Sequence, residues 1–446
     1  MPADLRRSMS LPHATAMVIG IILGASIFIQ PSEITRLVPS GRGVILVWLT
    51  AGALTLCGAL VCAELASAFP DTGGVYVFLR KIYSPALGFV WGWAMFWTMH
   101  SGIVAAIAVM AARYVAYFVP MGETGIRLVA AAVVLLLSAI NYLGVKPGSM
   151  VQLVLTAIKL SALAAMVVLL FAFGGHAHHS LPPPSQATPA ISLSAYGLAI
   201  AAGLFAYGGW HMVTYAAGET RDPQRTIPRA LVIGTLTVTA AFMAANAAYL
   251  YVLPLTDVAR SNHVAADATE HALGAQAGGI IAALVVISAI GALNGIILAG
   301  PRVYYAMASD GLAFEWLAAI HPRRQTPYLA IAAQALWSCV LVATNTYRQL
   351  FTRVVYTEWI FFALLAAGLF LLRRKAGYRP PFRVPGYPLA PLLFVAGAAG
   401  IVFNQVQANP SDSVFGLGLI LLGLPVYFVW SRLHSKSREA TADASH

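Results

Sequence analysis

The sequence predicts an all-α, polytopic membrane protein of twelve transmembrane helices, and three observations predict it. Apolar residues make up 59% of the 446 and charged residues only 10%, with a mean hydropathy of +0.77. Soluble domains carry roughly 25% charged residues. Apolar stretches of about 20 residues, the length that crosses a bilayer, recur along the whole chain. Lysine and arginine crowd into alternate connections, as cytoplasmic loops do. The formal charge of +11 and pI near 9.7 thus reside in short loops. A nucleic-acid partner, which would need a basic patch on a soluble face, is not expected.

Span 1, at 14–37, contains GIILGASIFIQPSE, an otherwise good membrane helix interrupted by Gly24-Ala25-Ser26. In lipid every backbone N–H and C=O must pair internally, so a break at mid-depth is tolerable only against protein or a water-filled cavity. The break is therefore a candidate site. The apolar stretch after Arg7 outruns a signal-peptide core and is read as an uncleaved first span. Span 2, at 43–69, holds Cys57, Cys62 and Glu64; span 9 holds Cys339. Such spacing suggests neither a disulfide nor a metal site. Span 3, at 85–119, carries His100 and Arg113, and span 4 follows at 125–144.

Span 5, at 148–173, contains Lys159, which at 1.5 Å per residue lies roughly 18 Å from the inner end. A charge at such depth costs at least ~2.5 kcal/mol, so it is paired, solvated or working. Its protonation would depend on its surroundings. His176, His178 and His179 beside Pro182-Pro183-Pro184 read as a solvated outer loop rather than a metal site.

Span 6, at 194–217, contains LFAYGGWHMVTYAAGE, with Gly208-Gly209 amid Phe205, Tyr207 and Trp210. His211 follows, either lining the pocket or relaying protons, or packed against a backbone carbonyl within the span. Span 7 is at 229–253 and span 8 at 278–308, where Ser288 and Asn294 are expected to help solvate Lys159. Phe314 to Trp316 reads as an interfacial segment on the inner side. Spans 9 to 12 are at 328–345, 350–372, 388–405 and 413–431. Glu358 in span 10, like Glu64, reads as a bridge between helices, with proton coupling as the other role open to it.

With the N-terminus inside, nineteen of the 27 lysines and arginines fall on the inner side, Arg302 among them, and six on the outer side. Both termini are then cytoplasmic. Gly24 and Gly208 are 184 residues and five spans apart. Five is odd, so the second copy runs through the membrane in the opposite sense. Matched Gly-interrupted spans in two halves point to a transporter's binding site between inverted repeats. The repeats would be 1–173 and 194–372, joined by the outer loop 174–193, with 373–446 holding two further helices and a cytoplasmic tail.

A broken helix offers N–H groups at one side of the gap and C=O groups at the other, with helix dipoles aimed at both. An amino acid carries a carboxylate and an ammonium on one carbon and can bridge them. The carbonyls of Ile22 and Phe205 are the candidates for the ammonium.

GASIFIQPSE, FPDTGGVYVFLRKIYSP, NYLGVKPGSMVQLVLTAIKL, LFAYGGWHMVTYAAGETRDPQRTIPRAL, PRVYYAMASDGLAFEWLAAIHP, YTEWIFFALL and PFRVPGYPLAP together resemble the amino acid, polyamine and organocation superfamily. Within it the sequence is most similar to the L-type amino acid transporters and their bacterial relatives, from about Leu11 to Pro391. The resemblance implies a LeuT-like fold, two inverted five-helix repeats plus two helices, and exchange or uptake of amino acids. It also implies that backbone N–H groups of Gly24, Ala25, Ser26 and Ile27 hold the substrate carboxylate. The second motif, Phe205-Ala206-Tyr207-Gly208-Gly209-Trp210, would lie over the substrate with Phe205 as a gate. Lys159 would occupy the place of a sodium ion in sodium-coupled relatives, with Ser288 beside it. Two residues depart from the family pattern: Ala25 stands for a serine and Ser26 for a glycine.

The expected function is secondary transport of neutral L-amino acids across the cell membrane by alternating access, as an exchanger or a proton-linked symporter. No acidic side chain is expected in the pocket, which argues against cationic cargo, and the aromatic residues at the second break suit apolar side chains. The expected partners are a small amino acid and the lipid bilayer; no cofactor or metal is implied, and no outer-loop cysteine could tether a companion chain. The alternatives are an integral membrane enzyme, which lacks a nucleophile with an adjacent base, and a non-transporting amino acid sensor on the same fold.

Overall fold

The computed structural model describes residues 7–175, 191–261, 263–344 and 347–443. Every named element among them is helical, the one extended contact being an isolated bridge between Met9 and Thr220. The His-rich tract at 176–179 and most of the expected outer loop lie outside the described residues.

Helices dominate because an apolar segment in lipid must satisfy its own backbone. Nine helices among the described residues are long and apolar enough to cross a membrane, from Gly41–Ala68 through Ser413–Leu433. The two most buried are Pro85–Val115 and Gln276–Ser309, which form the centre of the bundle. Leu11–Ile22 and Tyr328–Thr344 are shorter apolar helices, and Tyr347–Arg373 covers the region of the tenth expected span. Three starts are capped by serine: Ser40, Ser84 and Ser192 accept from the N–H groups of Gly43, Leu87 and Ala195 at 3.3, 3.3 and 3.0 Å. Each side chain meets a donor that the helix itself leaves unpaired.

The first apolar stretch is wound in three pieces: Leu11–Ile22, a 3-10 turn Ala25–Phe28, and Gln30–Leu37. The second interruption lies between Leu193–Ala206 and the 3-10 segment Trp210–Glu219. The N–H groups of Ser8 and Met9 donate to the Glu219 carbonyl at 2.8 and 2.9 Å. The chain therefore enters its first interrupted span at the end of the molecule where the second one finishes.

Small residues let these pieces approach. On Gln276–Ser309, a Cβ at Gly295 would lie 2.6 Å from Ile21 Cγ1, and one at Gly291 would lie 2.7 Å from Lys159 Cε. These two glycines, four apart on one helical face, let the helix sit close against the first interruption.

The charge pattern counts Arg302 on the inner side; the structure shows that it is not a solvated loop residue but a buried one. Its side chain and that of Glu219 are each 1% exposed, and they pair in bidentate fashion at 3.2 and 3.3 Å. Arg302 also donates to the Leu298 carbonyl. The two residues are 83 apart in sequence, so only the packing of spans 6 and 8 reveals the partner that makes this burial tolerable.

Candidate functional site

At the first break, Leu23 has φ −70° and ψ 61°, an inverse γ-turn, and the Gly24 N–H donates to the Ile22 carbonyl at 2.6 Å. Gly24 is extended and leads into the turn Ala25–Phe28. The carbonyl end of Leu11–Ile22 is met by Lys159, whose Nζ donates to Gly20 at 3.0 Å and Leu23 at 3.1 Å. Ser288 Oγ donates to the same Leu23 carbonyl at 2.9 Å. A cation at the negative end of a helix dipole, giving protons to carbonyls without helical partners, is favourable on both counts. Lys159 is 3% exposed and is directed inward to the break, not along a stem toward the interface.

Asn294 does not join Lys159. Among the described residues it accepts from Asn141 at 2.9 Å and donates to Gln152 at 3.3 Å. An amide fits this network of amides, whereas Ser288, six residues earlier on the same helix, bonds the Leu23 carbonyl that Lys159 also meets.

At the second break Gly209 has φ +89°, a left-handed conformation open to glycine at no steric cost. The Gly208 N–H donates to the Phe205 carbonyl at 2.9 Å. The Ile22 carbonyl accepts one bond from within its own turn; a carbonyl oxygen has two lone pairs, so it keeps capacity for a ligand. A Cβ on Gly209 would fall 2.3 Å from Ile21 Cγ2, so the two breaks touch.

Between them lies a cavity of about 30 Å³. Ile22, Gly24, Ser26, Phe205, Ala206 and Gly208 line it. Ile27 is buried but outside this lining, and the side chain of Ala25 lies outside the described residues. Tyr207 and Trp210 do not face the cavity either: Tyr207 packs on Trp48 and Phe242, and Trp210 on Phe362 and Phe394. The positive φ of Gly209 turns the chain between them and directs both rings into the surrounding helices. Apolar walls come instead from Ile103, Ile107 and Ile296, on spans without any interruption, and from Met212, one turn beyond the second break; sequence reasoning missed all four, because only packing brings them to the gap.

The expectation of a pocket without an acidic side chain is also corrected. Glu358 lines the cavity, beside Trp359, and is 5% exposed. Glu64 does bridge helices: it pairs with Arg373 and accepts from the Val384 N–H at 2.6 Å. Arg113 pairs with Glu123 at 3.0 Å on the surface. His100 Nε2 donates to the Ile296 carbonyl at 2.8 Å, since a carbonyl oxygen can only accept. His211 is enclosed by Trp91, Trp210, Tyr215 and Phe362, and neither ring nitrogen has a hydrogen-bond partner among the described residues.

A family model described as amino acid permease matches residues 9–426. The serine/threonine exchanger SteT of Bacillus subtilis (strain 168) is 30% identical over 428 residues, covering 95% of this chain and 97% of that protein. The large neutral amino acids transporter small subunit 2 of Mus musculus is 31% identical over 437 residues, covering 95% and 81%. The cystine/glutamate transporter of Homo sapiens is 27% identical over 442 residues, covering 98% and 87%.

Proposed function

The chain belongs to the amino acid permease family, and on that premise we propose that it is a secondary active transporter carrying neutral L-amino acids across the cell membrane. It is a multi-pass membrane protein, and its family and the relatives named above are transporters or exchangers, not enzymes. The reading includes twelve transmembrane helices as two inverted five-helix repeats, 1–173 and 194–372, followed by two helices within 373–446, with both termini cytoplasmic. Support for the inversion comes from the shared end of the molecule at which span 1 begins and span 6 finishes.

The observation that carries the proposal is the contact of two helix breaks around one small cavity at Gly24 and Gly208. In this reading the substrate carboxylate meets the N–H groups that open the turn Ala25–Phe28, and its ammonium meets the carbonyls of Ile22 and Phe205. Phe205 closes over the cargo as one bundle rocks against the other. Lys159, with Ser288, holds the carbonyl end of the first break in the place of a coupling cation. A lysine that keeps its proton gives exchange; one that releases it in each cycle gives symport.

The test is uptake of labelled amino acids by proteoliposomes, with and without internal amino acid, and with and without an inward proton gradient. Stimulation by internal substrate identifies exchange, and stimulation by the gradient identifies symport. Binding without flux under any gradient would overturn the transporter reading in favour of a sensor.

A further inference from the structure

Two polar side chains line the central cavity, Ser26 and Glu358, and neither break accounts for the second. Glu358 sits on Tyr347–Arg373, and Trp359 beside it packs on Phe362 and Phe394 at ring distances of 5.9 and 5.3 Å, which fixes this turn. Glu358 Oε1 is buried with no hydrogen-bond partner among the described residues. No lysine, arginine or histidine lines the cavity to balance it. A buried acceptor in such surroundings costs free energy until something donates to it.

We propose that Glu358 reads the substrate's side chain, its Oε1 accepting one hydrogen bond from the hydroxyl of a β-hydroxy amino acid. The number of donors selects a hydroxyl over a charged head group. A hydroxyl brings one donor, an ammonium three and a guanidinium five. The walls near Glu358 are Ile103, Ile107, Met212 and Ile296, with Ser26 as the other polar side chain. Surplus donors would therefore be buried unpaired. A short side chain also demands the least further opening of a cavity of about 30 Å³. The inference rests on the transporter reading, and its test keeps the two apart.

Threonine and valine have nearly the same shape and differ by the hydroxyl. Their kcat/KM values for uptake into proteoliposomes are compared in the wild type, Glu358→Gln and Glu358→Leu, with Glu358→Ala as a second apolar variant should the leucine form fail to accumulate. The wild type should favour threonine about tenfold or more, since a site built to bond a hydroxyl rejects the analogue lacking it. Glu358→Gln should keep a preference because its amide oxygen still accepts; the apolar variants should bring the threonine value down to that of valine. An unchanged ratio in both apolar variants would overturn the proposal. So would a wild-type preference for lysine over threonine that Glu358→Gln abolishes, which would make Glu358 a charge selector. Absence of uptake of any amino acid by the wild type would instead remove the transporter reading on which the inference stands.

Discussion

Lys159 is held at three points: two carbonyls of the broken helix and the space left by Gly291. Neither carbonyl has a helical partner, so removing the ammonium leaves the Gly20 carbonyl a buried acceptor without a donor and Leu23 with Ser288 alone. Lys159→Ala should lower uptake about tenfold or more, and normal rates at every pH tested would remove Lys159 from the transport cycle. Gly291 offers an independent approach to the same atom. A Cβ there would lie 2.7 and 2.8 Å from Lys159 Cε and Nζ, closer than atoms tolerate. Gly291→Val should displace the ammonium and reproduce the Lys159→Ala defect while leaving the lysine in the chain. Wild-type uptake in that variant would show that the lysine's position is immaterial.

Among the elements, the interrupted spans are held open by different means. The first depends on a γ-turn that ends Leu11–Ile22 and on a cation that satisfies its carbonyls. The second depends on a left-handed Gly209 against Ile21. Gly209→Ala adds a backbone cost of about 1–3 kcal/mol and a steric conflict between the two breaks. It should lower the melting temperature in detergent and abolish uptake, and a variant that retains both would place the breaks' contact outside the mechanism. Spans 6 and 8 are tied by Glu219 and Arg302, both 1% exposed. Arg302→Met would leave Glu219 a buried charge without its partner, at a cost of roughly 3–5 kcal/mol. The expected result is a clear loss of thermal stability, partly restored when Glu219 is made Leu as well. No change in melting temperature would mean that the pair is solvated in the membrane-embedded protein.

On the scale of the whole molecule, the two interrupted spans meet at a cavity of about 30 Å³, room for one or two water molecules. An amino acid needs more, so loading requires the surrounding helices to move apart. Phe205, buried at 8% exposure and part of the lining, is placed to respond to that movement. Phe205→Ala should slow turnover in uptake and counterflow assays more than it lowers the melting temperature. Unaltered flux would remove its role as a gate.

The sequence by itself determined the helical class, the membrane setting and the two places where the backbone is interrupted. Those features follow from local chemistry: apolar stretches in lipid must be helical, and Gly24 and Gly208-Gly209 mark where a helix is weakest. Lys159 was also legible, because a charge so far from the end of an apolar stretch is conspicuous without knowing its neighbours. Only the tertiary structure decided what surrounds these points. Glu358 resembles any acidic residue near a span until its helix is packed against the breaks, and Tyr207 and Trp210 resemble pocket residues until the turn at Gly209 directs them elsewhere. Arg302 finds Glu219 across 83 residues of chain. A sequence fixes a helix through neighbours one turn away, whereas partners across a bundle depend on which helical faces meet, and that is set by packing of the whole.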